Sequence, residues 1–234
     1  MKAIVIGASS GIGRELAKIL AKEGYEVGLV ARRKALLLSL GKAISGKTYI
    51  KQIDISRPEA IGKIESFIQE MEAVDLVILN SGTGFINPEM DWKKDKETLD
   101  VNVLGFSAMA NVFMKHFLSK GSGHLVGISS IAAIRGSGVY SASKAFVSNY
   151  LEGLRHRAFK ERKQIIVTDI KPGFVDTAMA KGEGLFWVIP AETAAAMIYK
   201  AIKKKKNHAY ITARWRLVAW ILKCMPDWMY DRFF

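Results

Sequence analysis

The residues with most chemical promise stand in one short string, Val139-Tyr140-Ser141-Ala142-Ser143-Lys144, in which a tyrosine and a lysine are four positions apart. On a helix, residues at that spacing share a face. A phenol is a poor proton donor or acceptor near neutral pH, with a reference pKa of about 10. A nearby ammonium favours the phenolate and brings the group toward the working range. By itself the pair reads equally as an ordinary contact on a helix surface. Its setting argues for chemistry: it follows the apolar run Leu125 to Ile128, which ends in Ser129 and Ser130. A serine hydroxyl at a strand end can steady an oxygen on which charge develops.

A second constellation opens the chain. The apolar run from Ala3 leads into Gly7-Ala8-Ser9-Ser10-Gly11-Ile12-Gly13, and a helical pattern follows. Glycine permits a tight turn and a close backbone approach to a pyrophosphate, and a helix N-terminus offers free N–H groups and a positive dipole end. A plain glycine turn is the bland alternative, but strand before and helix after are the context that gives such a motif meaning. The next apolar run ends Val30-Ala31-Arg32-Arg33. A site selecting NAD usually carries a carboxylate there, whereas two guanidiniums suit bidentate binding of a 2′-phosphate. The expected cofactor is therefore NADP(H), with NAD(H) second; the competing reading is a pair of surface arginines at a helix start.

These groups need elements to hold them. Buried-type runs at 3–7, 27–31, 49–55, 76–79, 125–128, 165–170 and 209–212 read as strands. Helical patterns fall between them, at 12–23, after Ala31 to about Ile44, from Pro58 to about Met71, 96–118, 139–160, 191–201 and from Arg214 onward. Strands apolar throughout, alternating with amphipathic helices, predict an α/β fold: a Rossmann-type doubly wound parallel sheet of about seven strands with helices on both faces. Half of the 234 residues are hydrophobic, which suits one domain over residues 1–234. In such a sheet ligands bind beyond the carboxyl ends of the strands, where both constellations fall.

Together, GASSGIG and YSASK resemble the corresponding motifs of short-chain dehydrogenases/reductases, and the resemblance runs to about Thr177. It implies hydride transfer between the nicotinamide C4 and a carbonyl or alcohol carbon. Tyr140 would give or take the proton and Lys144 would lower its pKa and bind ribose hydroxyls. Ser130 would steady the carbonyl oxygen, with Ser129 as the fallback. Asn102, in Val101-Asn102-Val103-Leu104-Gly105, matches the family's fourth catalytic position. Asparagine does not favour a helix interior; its side chain and a disturbed backbone could hold a water relaying protons toward Lys144. Asp54 resembles the aspartate that contacts adenine, though it also reads as part of a helix start near Ser56. Asn80 would brace a strand end, and the small Ser81 and Gly82 would let the backbone lie against the cofactor. Pro172, Gly173, Val175 and Thr177 resemble the segment that holds the nicotinamide carboxamide. Gly7, Ser9, Ser10, Gly11, Ile12, Gly13, Arg32, Arg33, Tyr140 and Lys144 complete the cofactor set. Residues 178–190 read as a substrate lid, with Phe186 and Trp187 as apolar contacts. One departure concerns the segment from Ser130 to Tyr140, which is a few residues shorter than the family usually has: either a trimmed loop or a missing piece.

The rest of the sequence bounds the partners. Thirty-five Lys and Arg against 22 Asp and Glu give +13, but no nucleic-acid motif accompanies the charge, so no nucleic-acid partner is expected. The single Cys224 excludes an intramolecular disulfide and a multi-cysteine zinc site and fits a reducing, cytoplasmic setting. The four histidines show no ligand spacing, and no metal is expected. No leader-type segment opens the chain, and no apolar run reaches the roughly 18 residues of a membrane span. Phe113, Met114 and Phe117, at helical spacing, read as core or as apolar surface for a homo-oligomer, a dimer or tetramer. The segment 214–234 holds three of the five tryptophans. It reads either as a helix covering the pocket or a subunit neighbour, or as an interfacial helix on an anionic membrane, helped by Lys203 to Lys206. The function implied is an NADP(H)-dependent oxidoreductase acting on an apolar or lipid-like carbonyl or alcohol. The alternative is a non-catalytic NADP(H)-binding regulator on the same fold.

Overall fold

The structure, a computed structural model, describes residues 1–177 and 186–233. The order is β1 (Lys2–Ile6), α1 (Gly11–Lys22), β2 (Glu26–Ala31), α2 (Lys34–Ala43), β3 (Thr48–Gln52), α3 (Ala60–Glu70) and β4 (Leu76–Leu79). Next come α4 (Trp92–Leu99), a π-helical turn (Asp100–Gly105), α5 (Phe106–Lys120), β5 (Ser122–Ile128), a 3-10 turn (Ile131–Ile134), α6 (Val139–Lys160) and β6 (Gln164–Pro172). The chain ends with β7 (Val175–Asp176), β8 (Ile189–Pro190), α7 (Ala191–Lys203), β9 (His208–Ile211), α8 (Ala213–Cys224) and α9 (Asp227–Phe233).

Seven strands form one parallel sheet in the order β3-β2-β1-β4-β5-β6-β9. The direction of winding reverses between β1 and β4, so the switch point lies where the glycine motif leaves β1. Both faces are covered, as the apolar runs predicted. Along β1, Ala3 and Val5 point into a core shared with α1, α2 and α7, while Ile4 and Ile6 point into a second core shared with α3, α5 and α6. Alternation with period two fills both cores from one strand. A third, smaller cluster of Ile131, Trp215 and Ala219 closes the carboxyl end of the sheet.

Several boundaries differ from the sequence reading. β3 stops at Gln52, leaving Asp54 in the loop beyond it. Its Oδ1 accepts from the Ser56 amide (3.1 Å) and the Ser56 hydroxyl (2.7 Å), a local turn that delays α3 to Ala60 rather than Pro58. The long helix predicted over 96–118 starts earlier and is interrupted by the π turn. There Gly105 lies against the loop after β3: a Cβ would come within 2.7 Å of the Ile55 carbonyl oxygen. Phe113, Met114 and Phe117 are buried in the core, at 0%, 3% and 0% exposure, so they supply no oligomer surface. Period 3.6 identified an apolar face but not what covers it; the outward apolar side chains of this region are Leu104, Phe146 and Phe159. The short pair β7–β8 was not anticipated. Of the lid predicted over 178–190, residues 178–185 lie outside the described residues.

Candidate active site

The glycine loop is shaped by crowding. Gly7 (φ +90°) and Gly11 (φ +54°) adopt left-handed conformations. A Cβ on Gly7 would meet the Ser81 amide nitrogen at 2.7 Å, and one on Gly13 would meet the Gly7 carbonyl oxygen at 2.2 Å. These residues must be glycine for the turn to close. Ile12 packs on the core beneath. Asn80 Nδ2 donates to the Gly7 carbonyl (3.1 Å), tying the end of β4 to the end of β1 across the switch point. Arg33, at the start of α2, reaches back over the loop: its Nη2 donates to the hydroxyls of Ser9 (2.9 Å) and Ser10 (2.7 Å). Arg32 is exposed beside it, with its carbonyl accepting from Gln52 Nε2 (2.9 Å). Thr177 stands against the same loop, its methyl 3.0 Å from where a Gly11 Cβ would be, so the segment after β6 and the loop after β1 meet.

The reacting groups converge next to this cradle. Lys144, one turn into α6, is buried, and its Nζ donates to the Ile128 carbonyl (3.0 Å) at the end of β5. A Cβ on Gly82 would lie 3.2 Å from that Nζ, and one on Gly84 would lie 2.4 Å from the Tyr140 ring. The small residues after β4 therefore let that loop lie flat against the Tyr140–Lys144 face. Burial lowers the Lys144 ammonium to a pKa of about 8, with the charge of Asp169 pulling the other way. The Tyr140 phenol is raised by burial and lowered in smaller part by the Ser130 hydroxyl. Lys144 Nζ is 5.8 Å from the centroid of the Tyr140 ring. Burial is thus the largest influence on both groups.

Ser129 and Ser130 part company. Successive strand residues point to opposite faces. The Ser129 hydroxyl points into the protein, against the Asp169 carboxylate and the Ile170 carbonyl (3.0 Å). Ser130 faces Tyr140, and its oxygen accepts from the Ala132 amide (3.1 Å), capping the 3-10 turn. Of the two, Ser130 is the one beside Tyr140.

Asn102 lies in the π turn, the disturbed backbone expected of it, with its side chain engaged. Its Nδ2 donates to the Thr83 carbonyl (2.8 Å) and the Ser143 hydroxyl (3.0 Å), and its Oδ1 accepts from the Thr83 amide (2.9 Å). Both amide hydrogens are used, which leaves the backbone of the π turn, the other half of the expectation, to hold a relay water. The side chain clamps the loop of Gly82 and Gly84 onto α6, and the π turn presents it there.

Sequence reasoning missed three features. The first is a buried ionic knot behind the site. Asp169 is fully buried and takes Ser129, Ser148 Oγ (2.6 Å) and Lys171 Nζ as partners. Burial alone would raise this carboxyl; His208, Lys171 and Ser129 outweigh it and hold it below the usual range. Alternating polar residues in β6, Thr168-Asp169-Ile170-Lys171, were the available signal. The second is Trp215 of α8, buried flat on Gly173, where a Cβ would meet its Nε1 at 1.9 Å. Trp215 also contacts the rings of Phe174 and Phe186, with centroids 5.3 Å away in each case. The third is Arg135, in the short loop before α6. It donates to the Leu222 carbonyl (3.1 Å), the Met225 carbonyl and Asp227 Oδ1 (2.6 Å), and lies over the Tyr230 ring.

A nicotinamide dinucleotide fits these residues: glycines that no Cβ could replace, a guanidinium standing over two hydroxyls at the end of β2, and a small-residue loop facing a buried lysine. Among the described residues no group of three His, Cys, Asp or Glu side chains could hold a metal ion.

Comparison with known proteins agrees. The family model described as short chain dehydrogenase matches residues 1–185. A protein of Myxococcus xanthus named an uncharacterized oxidoreductase is 30% identical over 240 residues, covering 98% of this chain and 94% of its own. One of Mycobacterium tuberculosis with a similar name is 29% identical, covering 90% and 87%. Among solved structures, a short-chain dehydrogenase from Sphingobium yanoikuyae in complex with NADPH superposes with a TM-score of 0.80 at 23% identity, covering 98% and 95%. A short chain dehydrogenase/reductase from Burkholderia phymatum in complex with NAD gives 0.84 at 19% identity, covering 94% and 92%. At these identities the solved structures speak for the fold alone.

Proposed function

The chain belongs to the short-chain dehydrogenase family and is an oxidoreductase of it; from that premise we propose an NADP(H)-dependent enzyme that interconverts a carbonyl and an alcohol on an apolar or lipid-like substrate. The observation that carries this reading is the convergence of Ser130, Tyr140 and Lys144 at the carboxyl ends of the strands, beside a glycine cradle overlooked by Arg33. A bound nicotinamide would supply the hydride. The chain's own residues do the rest. Gly7, Ser9, Ser10, Gly11 and Gly13 would hold the pyrophosphate end and Arg33 the 2′-phosphate. Asp54, Ser81, Gly82, Val175 and Thr177 would line the cofactor, and Lys144 its ribose. Tyr140 donates its phenolic proton to the substrate oxygen in reduction and takes it back in oxidation, while Ser130 steadies that oxygen. Asn102 acts as a positioning residue.

Apolar substrate preference is supported by the wall at the mouth, where Phe174, Phe186, Trp187 and Trp215 form one ring cluster. A cytoplasmic setting, where NADPH is kept reduced, belongs to the same proposal. So does a dimer or tetramer through the helices of Asn102 and Tyr140, now resting on Leu104 and Phe146 and tested by light scattering.

The test is NADPH oxidation followed by absorbance against a panel of long-chain, cyclic and small carbonyl compounds. Turnover is expected with the apolar members. Tyr140→Phe should lower kcat by roughly 10²-fold or more and leave the NADPH dissociation constant nearly unchanged. Tight NADPH binding with no turnover on any carbonyl would instead favour the regulator.

A further inference from the structure

Helix α8 is apolar on two faces. Advancing by about 100° per residue, its inner face carries buried Trp215 and Ala219 with half-buried Val218 and Leu222. These pack on Ile131, Ile134 and Phe174. The opposite face carries Leu217, Trp220 and Ile221, exposed by 60%, 65% and 44%. Arg214 and Arg216 flank this strip on either side, Lys223 joins the Arg216 side, and α8 has no acidic residue. A shallow groove of about 230 Å³, lined by Trp220, Ile221, Cys224, Met225, Pro226 and Met229, carries the apolar surface on to α9. There Trp228 is 69% exposed. Of the acids on α9, Asp227 is taken by Arg135, leaving Asp231. Exposed Trp187 and Phe186 adjoin, with Arg214 stacked over Trp187 at 5.6 Å.

Water-facing helices do not expose two tryptophans, a leucine and an isoleucine along one strip without a use for them. Tryptophans with aliphatic residues between flanking cations are the composition of a helix lying in a lipid headgroup layer. We propose that the outer face of α8 and α9 is a docking surface for an anionic membrane, seated in the plane of the interface. Charge complementarity selects this occupant: the strip is bordered by cations in a chain of net charge +13, which anionic headgroups attract. No helix among the described residues is long and apolar enough to cross a membrane, so attachment is peripheral. The lysine run 203–206 takes no part: it sits at the amino end of β9, with Lys203 near Glu23, a strand away from α8. Because the inner face of the same helix lies on Gly173 and the aromatic mouth, docking brings the substrate entrance to the lipid. The inner face is that of a helix covering the pocket, and the proposal assigns the outer face to the membrane.

The experiment is co-sedimentation of the full chain with phosphatidylcholine vesicles, with and without about one-third phosphatidylserine, at low and raised salt. Expected is sedimentation with the anionic vesicles only, weakened by salt, with a blue shift of tryptophan emission. The double variant Trp220→Glu/Trp228→Glu, at exposed positions outside the active site, should lose binding by roughly tenfold or more, with thermal midpoint and NADPH binding unchanged. Arg216→Gln and Lys223→Gln should each cost about fivefold. Three results would overturn the proposal. The wild-type chain stays in the supernatant at low salt; or the double variant binds as well as wild type, making the attraction that of a basic surface alone; or the double variant breaks an oligomer while wild type ignores vesicles, making the occupant a second copy. None depends on catalytic turnover, so an inactive enzyme would leave the docking test intact.

Discussion

Arg33→Ala isolates the contact that should separate the two nicotinamide cofactors. A guanidinium has five N–H donors. In Arg33 the two on Nη2 point at Ser9 and Ser10, at 2.9 and 2.7 Å. The remaining three, on Nε and Nη1, have no partner among the described residues and are open to a phosphate. A charge-assisted hydrogen bond is worth about 1.5–3 kcal/mol. Two of them at an exposed site, discounted for solvent screening, come to roughly 2–3 kcal/mol. That is a loss of about 30- to 150-fold in NADPH affinity. NADH has no 2′-phosphate, so its dissociation constant should move by less than about twofold on the same reasoning. Arg32→Ala should do less, since only its backbone is tied into the turn. The assay is titration of each cofactor, followed by the rise in nicotinamide fluorescence, in wild type and both variants. Equal wild-type constants for NADPH and NADH would refute the argument. So would an Arg33→Ala loss shared by both cofactors, which would mean that Arg33 merely holds the serines in place.

Two further outcomes follow from the same geometry. Ser130→Ala should lower kcat with little effect on stability, whereas Ser129→Ala should lower stability by about 1–3 kcal/mol, by stripping a partner from fully buried Asp169; urea unfolding beside steady-state kinetics reads both, and the reverse pattern would restore Ser129 as the catalytic serine. Stability should also fall as pH drops. His124 is buried on Thr168, and burial, with the charge of Lys205, lowers its pKa to about 4. Between the unfolded value of about 6.5 and that folded value only the unfolded chain takes up the proton, so up to about 3 kcal/mol is lost across that window. His116, also lowered by burial, adds to the slope. The Asp169 contribution, held low by its partners, is lost only below the ordinary carboxylate range. Unfolding free energies that are flat from pH 7 to about 4.5 would contradict this account.

The fold was legible because each strand must fill two cores, which leaves apolar runs that a sequence displays openly. The glycine loop, Arg33, Ser130, Tyr140 and Lys144 were legible because strand–turn–helix junctions put them at strand ends. What was not legible depends on contacts between distant segments. Helical spacing identified Phe113, Met114 and Phe117 as an apolar face, but only packing reveals that α3 and the sheet cover it. Asn102 could be located but not assigned its partners, since Thr83 and Ser143 come from elsewhere in the chain. The Asp169 knot joins four elements; the polar residues of β6 mark the carboxylate but not its partners, Ser129 being 40 residues distant.

The short loop before α6 and the apolar tail explain one another. With only 3-10 turn 131–134 and Arg135 to Gly138 between Ser130 and α6, the ground above Gly173 is left uncovered by the loop itself. Trp215 fills it, against a glycine where any side chain would collide. Arg135 then binds the last carbonyls of α8 and the first acid of α9. A cation at a helix C-terminus satisfies orphan carbonyls and complements the dipole, so the latch is strongest where α8 would otherwise fray. The mouth of the site is therefore built by the tail. A helix whose inner side forms that wall, and whose outer side is apolar between cations, cannot settle on a surface without setting how the entrance meets it. Under the proposed docking, substrate choice and location become properties of the same twelve-residue element.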